Sequence, residues 1–122
     1  MLIKKYTFIL ASLFFFLFSC ATENDNQKII GQWQGITWDV GGRASGRKAA
    51  DVVFQFNPDD TYTASFGQQK EEGNFRLKGN KLYTTATGKA EKMVRVTLRS
   101  VDTLAMDMNR VGTLEELVLV KQ

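Results

Sequence analysis

Asp51-Val52-Val53-Phe54-Gln55-Phe56-Asn57-Pro58-Asp59-Asp60-Thr61-Tyr62-Thr63-Ala64-Ser65-Phe66-Gly67 is the stretch that decides the fold. Val52, Phe54 and Phe56 alternate with polar or smaller neighbours, and Tyr62, Ala64 and Phe66 do so after the break. A period of two is the mark of a strand with one buried face. Asn57-Pro58-Asp59-Asp60 suits a type I turn, because Asn57 offers an acceptor at the first position and Pro58 fixes φ at the second. The stretch therefore reads as an antiparallel hairpin.

The same grammar extends in both directions. Downstream, Lys70 to Lys78 and Lys81 to Ala86 flank Gly79-Asn80, a two-residue connection that suits strand twist. That connection sets Leu77 opposite Leu82, Phe75 opposite Thr84 and Arg76 opposite Tyr83. Thr87-Gly88-Lys89 leads into Ala90 to Ser100, where Val94, Val96 and Leu98 share one face and Arg95 and Arg99 belong in water. Thr103 to Asn109 sets Leu104, Met106 and Met108 on one face. The run Leu117 to Val120 is apolar on both faces, so it is either buried twice or closes the sheet. Thr113-Leu114-Glu115-Glu116 before it either belongs to the same strand run or opens a short helical turn.

Upstream, Ile29 to Val40 holds both tryptophans around Gly35. A bulge at Gly35 is predicted to bring Trp33, Ile36, Trp38 and Val40 to one face. Gly41 to Ala50 is a loop by its glycines. Its Gly41, Gly46 and Arg47-Lys48 fall short of a phosphate-cradling loop, since no lysine-hydroxyl pair or helix start follows. About eight strands with short connections avoid exposed edges most simply by closing. The predicted fold is all-β, a small antiparallel up-and-down β-barrel.

The first residues follow other rules. Lys4 and Lys5 precede the uncharged run Tyr6 to Phe18, the layout of a secretory signal, and this run is shorter than the roughly 20 residues a membrane span needs. Leu17-Phe18-Ser19-Cys20 resembles the lipobox of bacterial lipoproteins. That resemblance implies residues 1–19 as a lipoprotein signal peptide, with acyl chains on Cys20. Ala21 after the cysteine implies the outer membrane, facing the periplasm, with surface export the lesser reading. Residues 20–28, polar from Ala21 to Lys28, read as a flexible tether, and residues 29–122 as the barrel domain.

Removing residues 1–19 from 122 leaves 103, enough for one domain. Removing the two signal lysines from 16 basic residues leaves 14 against 13 acidic ones, so charge makes no case for nucleic acid. Cys20 is the only cysteine and histidine is absent, so the chain forms no internal disulfide and lacks the usual ligands of zinc, copper and haem. No metal or other cofactor is expected. The usual general base and the most reactive nucleophile are missing too. Asp59-Asp60, Glu71-Glu72 and Glu115-Glu116 are neighbours that a strand points to opposite faces. An enzyme is not expected.

Gly31-Gln32-Trp33 on the first strand, followed by repeated short strands, resembles the lipocalin signature. Phe54-Gln55-Phe56-Asn57, Asp60-Thr61-Tyr62-Thr63, Gly73-Asn74-Phe75-Arg76-Leu77 and Asn80-Lys81-Leu82 look like the compact lipocalin-like lipoproteins common in Bacteroidetes-type bacteria. The resemblance implies that Trp33 plugs the closed end of the barrel beneath a late basic residue, Arg110 or Lys121. It also implies a small apolar or amphipathic ligand. Residues placed to line its site are Trp38, Phe54, Phe56, Tyr62 and Phe66, then Phe75, Leu77, Met106 and Met108, with Gly41 to Ala50 as lid. The same side chains serve equally to pack the core. The alternative is a non-catalytic envelope protein acting on a protein or lipid partner through Arg76, Lys78, Lys81, Arg95 and Arg99 on the outer surface.

Overall fold

The computed structural model describes residues 25–122. The expected signal peptide, Cys20 and the first part of the expected tether lie outside the described residues.

Nine strands form one antiparallel sheet: β1 (Gly31–Val40), β2 (Arg43–Ala44), β3 (Val52–Phe56), β4 (Thr61–Phe66), β5 (Gln69–Lys78), β6 (Lys81–Ala86), β7 (Lys92–Ser100), β8 (Thr103–Arg110) and β9 (Thr113–Lys121). Strands β3 to β9 follow β1 in sequence order, and β9 pairs back on β1, so eight strands close into a barrel. The two-residue β2 pairs with Asp39 and Val40 and is the extra strand. The predicted β5–β6 register holds pair for pair, Phe75 with Thr84, Arg76 with Tyr83 and Leu77 with Leu82. Asp60 after Pro58 has φ 67°, so the type I turn is followed by a left-handed residue that returns the chain to β4.

Three expectations need correction. The β1–β9 ladder shifts register between Gly35 and Thr37, so the bulge exists, but Ile36 is the extra residue and is exposed. Trp33, Trp38 and Val40 share the inner face without it. Gly35 has its own reason to lack a side chain: a Cβ there would collide with the backbone carbonyl of Ala49. Ala49–Asp51 forms a 3₁₀ turn on β1, so the segment from Gly41 to Ala50 is built of β2 and this turn as well as loop.

Second, Thr113 to Glu116 is strand, not a helical turn, because β9 has to satisfy both β8 and the distal half of β1. The doubly apolar end of β9 is the piece that closes the sheet. Third, Asp25–Ile29 is a docked 3₁₀ helix rather than free tether. Asn26 is buried and its side chain stands in for a strand. Its amide nitrogen donates to the Phe75 carbonyl at 3.2 Å and to Asp60 at 2.8 Å, and its oxygen accepts from the Leu77 amide at 2.6 Å. Strand β4 reaches only as far as Asn74, and Asn26 serves the β5 backbone beyond it.

The barrel ends differ. The 3₁₀ helix and the turns after β3, β5 and β7 gather at one end. There Gly79 donates to the Asp25 carboxylate, and that bond, reinforced by Lys28, lowers the Asp25 pKa. The other end carries the turns after β4, β6 and β8 together with the segment from Gly41 to Lys48. Ile29, Trp33, Phe56 and Tyr62 fill the first end at 0–1% exposure. Burial of side chains this size contributes about 1.5–3 kcal/mol each.

Candidate ligand site at the open end of the barrel

Aromatic packing divides the interior. Phe56 lies 5.6 Å from Phe54 and 4.8 Å from Phe75, centroid to centroid, and the tilted Tyr62 ring completes the plug. Trp33 donates its indole N–H to the Ile29 carbonyl at 2.8 Å, and the Lys121 ammonium lies 5.8 Å from its ring centroid. Of the two basic partners left open by the sequence, Lys121 lies at the ring. The Arg110 side chain lies outside the described residues.

Beyond this plug lies a cavity of about 400 Å³, within the ordinary range for small-molecule sites. Trp38, Phe54, Phe66, Met106 and Met108 line it, as the sequence suggested, and Leu82, Val94 and Leu117 complete its apolar wall. Phe56, Tyr62, Phe75 and Leu77 belong to the packed half and do not reach it. The Tyr62 hydroxyl nevertheless interacts with Glu71 and Thr84, both in the cavity wall. Burial, and then the neighbouring Glu71 charge, raises its pKa.

The polar part of the lining is Arg47, Gln69, Glu71, Thr84, Lys89 and Lys92. The sequence put Arg47 in the expected lid and Glu115 in a carboxylate pair, but named neither as a lining or mouth residue. The Arg47 guanidinium stacks 5.0 Å from the Trp38 centroid and approaches the carboxylate of Glu115 at 3.9 Å. Glu115 is 4% exposed and alternates in register with Leu117 and Leu119 on the inner face of β9. A carboxylate so placed demands a counter-charge, and Arg47 supplies one from the segment that arches over the mouth. Only the inward parity of β9 could have revealed this pair, and the helical reading of Glu115 hid it. The Trp38 indole N–H is buried without an acceptor among the described residues.

The outer basic residues are dispersed in their bonding. Arg99 pairs with Glu116 at 3.2 Å and Arg76 stacks 4.6 Å from the Tyr83 centroid. Lys78, Lys81 and Arg95 lie side by side across β5, β6 and β7, but the same row continues into Asp107, Glu116 and Asp39. Among the described residues no group of three or more histidine, cysteine, aspartate or glutamate side chains could hold a metal ion.

A family model described as a lipocalin-like domain matches residues 29–106. The crystal structure of an uncharacterized protein from Bacteroides eggerthii is similar in fold, with a TM-score of 0.55 at 15% identity over 76% of this chain and 98% of that one. No curated protein matches the chain. Barrels of this family are typically non-catalytic, and the fold suggests ligand binding in general terms.

Proposed function

We propose that this chain, which belongs to the lipocalin-like domain family, holds a small amphipathic ligand at its barrel mouth while anchored by acyl chains on Cys20 to the outer membrane, facing the periplasm. The cavity of about 400 Å³ above a fully packed plug carries the ligand reading. Had side chains filled both halves, the barrel would be a scaffold alone.

Magnitudes favour an amphiphile over a wholly apolar molecule. Ten buried methylenes contribute about 8 kcal/mol. Association costs of at least about 4 kcal/mol reduce that to roughly millimolar affinity. Micromolar binding then needs polar contacts, and Arg47, Lys89 and Lys92 stand in the lining to make them. The outer-surface reading has less support, since the basic row is matched by an acidic one.

Native mass spectrometry of the protein extracted from its own envelope is expected to show a retained small molecule. Met106→Trp, which intrudes on the cavity, is expected to weaken that mass signal while leaving the fold intact. Absence of a retained mass, together with no binding of hexadecanoate by the purified protein, would reject the reading. For the anchor, Cys20→Ser is expected to abolish incorporation of labelled palmitate and release the chain from membranes.

A further inference from the structure

The barrel wall is unzipped beside the cavity. Strand β7 pairs with β6 from Lys92 to Arg95, and β8 pairs with β9 throughout from Thr103 to Arg110. Between β7 and β8, however, pairing runs only from Ser100 back to Arg95, opposite Asp107. Continuing that register would set Val94 against Met108 and Met93 against Asn109, and neither pair forms. The backbone edges of the two strands therefore face each other unbonded along the mouth-side portion of this seam.

A cleft of about 870 Å³ occupies the opening, lined by Met93, Val94, Arg95, Asp107, Met108 and Leu114 among others. Lys92, Val94 and Met108 line both this cleft and the interior cavity. Met93 and Leu114, 49% and 56% exposed, put apolar surface at the outer lip. At the apex, one carboxylate oxygen of Asp107 is shielded from water and has no hydrogen-bond partner among the described residues. Exposed apolar lips and unbonded backbone are costly features in a barrel wall.

We infer that the ligand site extends sideways through the β7–β8 seam, and that its occupant is a chain-like amphiphile rather than a compact molecule enclosed by the mouth. The inference rests on the ligand-binding reading above. The chain's apolar end lies against Phe54, Met106 and Leu117 inside. Its polar end emerges between Val94 and Met108, where Lys92, Asp107 and Asn109 offer donors and acceptors. Such a ligand exchanges laterally, with no need for the segment from Gly41 to Lys48 to move.

Amide hydrogen exchange on the full chain carrying Cys20→Ser tests this, with hexadecanoate as the chain-like probe and the dye anilinonaphthalene sulfonate as the compact one. Hexadecanoate is expected to slow exchange at Met93, Val94, Met108 and Asn109 by about tenfold or more, because occupied seams lose access to water. The dye is expected to protect residues of the mouth and to leave the seam unchanged. Hexadecanoate binding with protection confined to the mouth would overturn the seam while sparing the ligand-binding reading. Failure of both probes to bind would remove both.

Discussion

Replacing Asn26 by alanine tests how the closed end is held. The amide side chain serves the Phe75 carbonyl and the Leu77 amide, at 3.2 and 2.6 Å, and is itself 3% exposed. Truncation leaves both backbone groups without this partner in a place water hardly reaches. Each such loss costs about 1–3 kcal/mol, so Asn26→Ala should destabilise the barrel by roughly 2–6 kcal/mol. Against a total of roughly 5–15 kcal/mol that is a large share. One kcal/mol moves the midpoint of a domain this size by about 4–8 °C, which translates to a drop of at least about 8 °C. Thermal melts followed by circular dichroism and tryptophan fluorescence would measure it, with the exposed Gln27→Ala as control within about 0.5 kcal/mol. Asn26→Asp is the sharper variant, because it keeps the shape and the acceptor but loses the donor to Phe75 and faces Asp60 with a like charge. A midpoint within about 3 °C of the parent for both Asn26 variants would refute the surrogate-strand account.

Trp33→Phe removes the donor to Ile29 and part of the plug, and is expected to cost roughly 2–4 kcal/mol. Lys121→Met keeps the stem and loses only the charge over the ring, for about 0.5–1 kcal/mol; equal costs in urea denaturation would contradict that division. Gly35→Ala pushes a methyl group into the Ala49 carbonyl and should lower the urea midpoint by the equivalent of about 1–3 kcal/mol, whereas Ile36→Thr on the bulge should stay within about 0.5 kcal/mol. Acid should weaken the fold partly through Asp25. Its folded pKa lies below the unfolded one, so its stabilising contribution is complete above the unfolded value and vanishes as pH falls through the folded one. Asp25→Asn is expected to flatten that part of the pH–stability curve, and an unchanged curve would exclude the Gly79 contact as its source.

What could be read from the sequence was local. The β5–β6 register followed from Gly79-Asn80 because a two-residue turn leaves no slack, and alternation then named Phe75, Leu77 and Leu82 as inward. A bulge is only half legible. Gly35 marked its place, but the residue squeezed out is decided by which of its neighbours best fits β9, and that was Ile36. Asn26 was invisible because its partners lie about fifty residues away, and among Asn24, Asp25 and Gln27 it looked like tether. The candidate site fared similarly. Alternation identified the inward aromatics, but whether each belongs to plug or cavity depends on its height along the barrel. Phe54 and Phe56 are two residues apart and fall on opposite sides of that division. Parity along β9 could have turned Glu115 inward, but its partner Arg47 reaches it from a loop, which no periodicity encodes.

The docking of Asp25–Ile29 also fixes an orientation. Five residue steps separate Asp25 from Cys20, a leash of at most about 18 Å when fully stretched. Were Cys20 acylated as proposed, the plugged pole would stay within that reach of the bilayer and the mouth would open toward the opposite horizon. Cargo would then be exchanged with the aqueous compartment or with a facing surface, and not drawn straight from the anchoring leaflet.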